Sequence, residues 1–419
     1  MKTIVLDDDP TGTQSASDVI VLLESDARLI ADALTEADSV YILTNSRAIS
    51  EDDAIALMTR IKSDAAAAAE QLGEEISVVL RGDSTLRGHV FTETNVFVSP
   101  RSVVVFVPAF PDGGRTTEGG VHYVQQGDKR TPAHLTEFAD DPVFPFTTST
   151  LVDYVRTKSG RDALHVPLGE VRDGGMEAAL GSATAGSVVI PDATTNDDIR
   201  LIARGIENAR RAGVDVVVRC ASPLAAALAG VESSGLLPWP LLTSSGPTLL
   251  VCGSHTAGAT AQLQEVTERW GEPVTIPTSD ALQAPRATGA RVADEARGRL
   301  AGPGLAIITT ERIRSLEHNS LEHGRLVMEA LTTAVSSLLT DTSIVVSKGG
   351  ITSADVARVG LGATRALVVG QVIAGVSVWK LLASDGRERL YVVVPGNVGE
   401  TDALARVLSA LGLTPPSLH

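Results

Sequence analysis

Short apolar runs, each released into a polar or glycine-bearing loop and then a helical stretch, recur along this chain and constrain its fold more than any other feature. They fall at residues 4–6, 39–43, 76–80, 102–107, 187–190 and 214–218 in the first half, and at 248–251, 344–346 and 391–394 in the second. Runs rich in Val and Ile without polar alternation read as strands buried on both faces, and strands alternating with helices pair in parallel through right-handed crossovers. At 419 residues the chain exceeds what a single core usually serves. The predicted fold class is therefore α/β with two domains, each a largely parallel sheet flanked by helices, and with the active site in the interdomain cleft. The Pro- and Ser-rich stretch at 236–245 has no clear period and marks the boundary, giving an N-terminal domain over 1–235 and a C-terminal domain over 246–419.

Local signals refine this plan. Ser50 followed by Asp53 has capping-box spacing, and Ile55, Leu57, Met58 and Ile61 with the Ala-rich tract behind them predict a helix. Between residues 116 and 168 the periodicity fades and scarce aromatics cluster (Tyr123, Phe138, Phe144, Phe146, Tyr154), which reads as a subdomain or a dimer contact, so a homodimer is one expected assembly.

Charge narrows the partners. With 35 Lys+Arg against 51 Asp+Glu, a net charge of -16 repels nucleic acid, and any anionic ligand needs locally placed Arg, Lys or helix N-termini. Cys220 and Cys252 each sit in an apolar run and read as buried thiols rather than a disulfide or metal pair. The opening run is too short for a signal peptide, and no apolar stretch reaches membrane-spanning length, so a cytoplasmic protein without membrane contact is expected. His318 and His323 are five residues apart and do not share a helix face, so no histidine metal site is predicted.

The chemistry-bearing residues lie at strand ends, where α/β proteins place ligand groups. Asp7-Asp8-Asp9-Pro10-Thr11-Gly12-Thr13 ends the first run. Arg47 follows the second, and Arg81, Gly82, Asp83 and Ser84 follow the third. Two arginines can fork onto a small carboxylate, while Asp8 or Asp9 holds or deprotonates a hydroxyl. In the second half three glycine turns stand between a strand and a helix: Gly253-Ser254, Gly349-Gly350-Ile351-Thr352, and Gly396-Asn397. Such turns offer unpaired backbone N–H groups to phosphate. Ser254 sits where a phosphate oxygen would lie or where an N-cap would, and Lys348 either neutralises phosphate or points to solvent. No Walker spacing and no GxGxxG are present.

An acid-binding half and a phosphate-binding half together describe phosphoryl transfer to a small hydroxy acid, with Mg²⁺ on the phosphates. Two alternatives remain. The opening stretch also fits the first motif of haloacid-dehalogenase-like phosphatases, with Asp7 as nucleophile and Asp9 as acid/base, although the late acidic pair of that superfamily is missing. A noncatalytic sugar-acid binding protein is the other.

The ordered set Asp8-Asp9-Pro10-Thr11-Gly12, Thr44-Asn45-Ser46-Arg47, Asp83-Ser84-Thr85-Leu86-Arg87-Gly88, Gly113-Gly114-Arg115-Thr116, Gly119-Gly120-Val121-His122-Tyr123, Lys348-Gly349-Gly350-Ile351-Thr352-Ser353 and Pro395-Gly396-Asn397-Val398-Gly399 resembles the four-carbon acid sugar kinases, which include threonate, erythronate and 3-oxo-tetronate kinases. The resemblance covers nearly the whole chain. It implies ATP-dependent phosphorylation of the terminal hydroxyl of a four-carbon acid sugar, with ATP and Mg²⁺. Acid-sugar contacts would fall on Asp8, Asp9, Arg47 and Arg81 to Ser84, and ATP contacts on Ser254, Gly349, Gly350, Ile351, Thr352, Gly396 and Asn397. Pro10, Arg81-Gly82 and His255 depart from the family pattern, the first two at the acid-sugar pocket.

Overall fold

The computed structural model describes residues 2–233, 235–242, 246–302, 304–313, 320–396 and 398–416. The chain forms two compact units, Met1–Asp8 with Ser25–Glu232 and Asp9–Glu24 with Ser233–His419.

In the first unit seven strands lie in the order Ser39–Leu43, Lys2–Asp7, Ile76–Arg81, Val216–Cys220, Val103–Val107, Val188–Pro191 and Ala163–Val166, and every neighbouring pair is parallel. Strand Lys2–Asp7 has a later strand on each side, so the order reverses there. That reversal is the kind of switch point where open parallel sheets leave a crevice at their carboxyl ends. Register sets Asp7 opposite both Leu43 and Arg81, and Arg81 opposite Cys220, so the reacting ends are level.

Helix Glu51–Leu72 starts where its signal predicts. Ser50 accepts from the Asp53 N–H at 3.2 Å and donates to the Asp53 carboxylate at 2.7 Å, and Gly73 closes the helix at φ 66. Its buried stripe is Ala54, Met58, Ile61, Ala65 and Ala68; Ile55 falls outside the stripe and is exposed. The aromatic excursion holds an antiparallel sheet (Arg115–Glu118, Val121–Gln126, Lys129–Pro132) and helix Leu151–Ser159. Phe138, Phe146 and Tyr154 are buried in the unit's own core beside Phe91 and Phe106, where Tyr154 stacks on Phe106 at 5.9 Å. Their clustering therefore reflects core packing.

In the second unit Val274–Ile276, Leu305–Thr310, Thr248–Cys252, Ile344–Lys348 and Glu388–Val394 run parallel in that spatial order, and Val376–Leu382, Arg365–Ile373 and Val19–Leu22 continue the sheet antiparallel. The sequence reading kept residues 9–24 in the first domain; they pack with the second unit. Val19–Leu22 pairs with the hairpin strand Arg365–Ile373, and the Thr13 hydroxyl accepts from the Trp379 indole at 3.0 Å. Trp379 is fully buried, so the early segment is fixed by a large apolar contact from the far end of the chain. Cys220 and Cys252 are buried free thiols, as their apolar settings predict. Among the described residues no helix is long and apolar enough to cross a membrane.

Candidate active site

In the first unit a carboxylate from the switch-point strand is surrounded by guanidinium groups from its neighbours. Arg81 Nη1 donates to Asp7 Oδ1 and Asp8 Oδ1, each at 3.0 Å. On the other oxygen of Asp8 the Asp83 N–H donates at 3.2 Å, Arg47 Nε lies at 3.5 Å and Arg219 Nη2 at 3.7 Å. Asp83 is held in turn by Arg87 Nε at 2.9 Å and by the Thr85 hydroxyl, with Arg47 Nη1 at 3.8 Å; these cations keep its carboxyl well below the usual range although burial opposes them. Asp7 behaves oppositely: burial raises it to about 7 despite Arg81. Buried charges persist only when paired in this way.

The predicted acid-binding residues thus gather, but in distinct roles. Arg81 is fully buried and spent on Asp7 and Asp8, which makes it a brace. Arg47 keeps 11% of its side chain exposed, against 1% for Arg81. Gly82 is required by contact, because a Cβ there would lie 2.5 Å from Arg219 Nη2. Gly88 has φ +114, a conformation that favours glycine, and a Cβ there would lie 3.4 Å from Asp8 Oδ2. Asp9, where the chain passes into the second unit, caps the short turn Pro10–Ser15, its carboxylate accepting from the Thr11 N–H at 2.7 Å and from the Thr11 hydroxyl.

The loop from Asp83 to Gly88 is held from behind. Ser84 is buried, and its carbonyl accepts from His122 Nε2 at 2.8 Å; the other ring nitrogen faces the Thr117 hydroxyl at 3.0 Å. That pattern suits a neutral ring whose Nδ1 accepts from the Thr117 hydroxyl, and burial lowers His122 to about 4. The Tyr154 hydroxyl donates to the Leu86 carbonyl at 2.8 Å. Leu86 has φ 69, a left-handed conformation that strains a leucine, so the two clamps hold the loop in a state it would not adopt alone. The sequence reading missed Arg219, His122 and Tyr154. A lone arginine inside Val216-Val217-Val218-Arg219-Cys220 was the available signal, since a buried strand tolerates such a charge only with a partner.

Arg81 Nη1 stands 3.0 Å from both Asp7 and Asp8, and Asp9 is bonded to Thr11. The same geometry disfavours Asp7 as a phosphatase nucleophile, because it is buried and bonded to Arg81, and Asp9 as an acid/base, because it caps a turn.

In the second unit the three glycine turns converge on Ser254. A Cβ on Gly396 would lie 2.6 Å from Ser254 Oγ, and one on Gly349 would lie 3.0 Å from Ser254 Cβ. The cap of helix Ala257–Trp270 is Thr256, which accepts from the Ala259 N–H at 3.2 Å and donates to the Gly396 carbonyl at 2.6 Å, leaving Ser254 outside the cap. Gln262 on that helix donates to the carbonyls of Val398, Gly399 and Glu400 at 3.0 to 3.1 Å, fixing the last turn. Gly350 opens helix Gly350–Asp355, Ile351 is exposed there and Thr352 is buried. Arg312 donates to the Ser254 carbonyl and to Thr260 Oγ1 at 3.0 Å. Asn397 lies outside the described residues.

Residues 3–228 match the sugar-binding N-terminal domain family and residues 249–404 the nucleotide-binding C-terminal domain family, which defines the class of protein. The chain is 33% identical over 237 residues to a D-erythronate kinase of Heliobacterium modesticaldum, covering 55% of this chain and half (50%) of that relative. It is 29% identical over 387 residues to a D-threonate kinase of Bordetella bronchiseptica, covering 90% and 87%. A Salmonella typhimurium protein (TM-score 0.67, 17% identity, 97% and 98% coverage) and a Haemophilus influenzae protein of family DUF1537 (0.59, 18%, 97% and 99%) share the fold. The chain belongs to the four-carbon acid sugar kinase family.

Proposed function

We propose that the protein is an ATP-dependent kinase that phosphorylates the terminal hydroxyl of a four-carbon acid sugar of threonate, erythronate or 3-oxo-tetronate type. The observation that carries this reading is the division of chemistry: one unit holds a fixed carboxylate ringed by arginines, and the other holds backbone turns packed around a single serine. Arg47 takes the acid's carboxylate, Arg81 and Arg219 fix Asp8, and Asp8 orients the acceptor hydroxyl, while Asp83, Ser84 and Gly82 shape the pocket. Asp9 shapes the turn after it. Ser254, the N–H groups from Gly349 to Thr352, Gly396 and Asn397 hold the phosphates of ATP, which carries Mg²⁺ as its usual counterion. In-line transfer is chiefly positioning and charge neutralisation, which such groups supply. The relatives named as D-threonate and D-erythronate kinases support the substrate class.

Asp8→Asn tests the assignment. Losing one orienting acceptor should lower ATP-dependent phosphorylation of the acid about a hundredfold while leaving nucleotide binding intact. Turnover near that of the unaltered protein would remove Asp8 from the acceptor site.

A further inference from the structure

Lys348 ends strand Ile344–Lys348 and has no exposure at all. Its ammonium donates to the Pro395 carbonyl at 2.6 Å, and among the described residues no carboxylate lies within ion-pair distance of it. A buried ammonium without a counter-charge costs several kcal/mol. The groups facing it do not supply that charge. Cys252, opposite Lys348 on the next strand, is a thiol that burial pushes up and keeps neutral, with Arg312 Nη1 at 4.0 Å from its sulfur. On strand Glu388–Val394 the residue opposite Lys348 is Val394, while Tyr391, opposite Val345 and so on the other face of the sheet, donates its hydroxyl to the Ser353 carbonyl at 2.7 Å.

The place of this charge is specific. The Lys348 carbonyl accepts from the Gly253 N–H at 3.3 Å, Gly349 follows it directly, and Pro395 immediately precedes Gly396. One ammonium therefore stands at the roots of all three turns that surround Ser254. We propose that Lys348 is the positioning residue of the nucleotide site: it ties the Gly396 turn to the Gly349 turn, and its charge is matched only when a nucleotide's phosphates lie over them. This rests on the nucleotide-binding reading of the second unit. Burial lowers Lys348 to about 8, so the side chain is partly neutral in mildly alkaline solution. Phosphates arriving over the turns favour the charged form, and the amine takes a proton from the buffer as the nucleotide binds.

Isothermal calorimetry of ADP binding to the full chain at pH 8, in buffers of different ionisation enthalpy, counts that proton. ADP is fully ionised there, so it contributes none. Uptake of about half a proton is expected at pH 8, falling to about a quarter at pH 7.5, where ADP is still almost fully ionised. Lys348→Met should abolish the uptake and weaken ADP about tenfold or more, and Lys348→Arg, permanently charged, should lose the uptake but keep more of the affinity; a thermal melt confirms folding of each. ADP binding without uptake, or with equal uptake in Lys348→Met, would overturn the role of Lys348. No ADP binding by the unaltered protein would overturn the nucleotide reading and this inference with it.

Discussion

Gly396→Ala isolates the convergence of the three turns. The added Cβ would sit 2.6 Å from Ser254 Oγ, 3.4 Å from Ser254 Cβ and 3.9 Å from Gly349 Cα. A contact below 3 Å forces either the serine hydroxyl to rotate away or the turn to open, and both displace groups assigned to the phosphates. Overpacking of this kind costs about 1–3 kcal/mol. Expressed in nucleotide binding, that is roughly a 5- to 150-fold rise in the KM for ATP. The KM for the acid should change little. Ser254→Gly removes the obstructing atoms, so the alanine's extra cost in melting temperature, about 2–4 °C per kcal/mol for a unit of this size, should largely vanish in the double variant. An unchanged KM for ATP in Gly396→Ala, or the same melting penalty with and without Ser254, would refute the proposed packing.

Other outcomes follow from the first unit. Arg47→Ala should raise the KM for the acid far more than that for ATP, as steady-state kinetics would reveal; the reverse order would move the acid elsewhere. Two buried groups should shape stability between pH 4 and 6.5 in opposite senses. Asp7, raised to about 7, binds a proton in the folded state that the unfolded chain has released, so its contribution is present at pH 4 and is lost as pH rises. His122, lowered to about 4, stays neutral while the unfolded chain takes up a proton, so its contribution is lost as pH falls. Denaturant titrations should therefore find Asp7→Asn gaining stability with pH across this window and His122→Gln losing it; parallel curves for the two variants would contradict both assignments.

Much of this architecture is legible in the chain because parallel strands buried on both faces leave unbroken Val- and Ile-rich runs, and their ends announce the polar groups. Asp8, Arg47, Arg81 and Asp83 were found in that way, and they do gather. Their division of labour was not legible: whether an arginine meets a ligand or braces a carboxylate depends on burial, and Arg81 differs from Arg47 chiefly in depth. Lys348 is the same case, since nothing local distinguishes a solvated lysine after a strand from one buried beneath a turn. Residues 9–24 were assigned by adjacency, yet the four-residue strand Val19–Leu22 finds its partner more than three hundred positions later, a pairing with no local signature. The clamping roles of His122 and Tyr154 were not legible because they act on backbone carbonyls, which the side-chain sequence does not record.

The central claim is that this chain transfers phosphate from ATP to a four-carbon acid. Coupled detection of ADP release, with Mg²⁺, over D- and L-threonate, D- and L-erythronate and 3-oxo-tetronates tests it most directly. The expected result is acid-dependent ADP formation with at least one of them, accompanied by a phosphorylated acid. Silence across that panel, with phosphate released from sugar phosphates instead, would contradict the account.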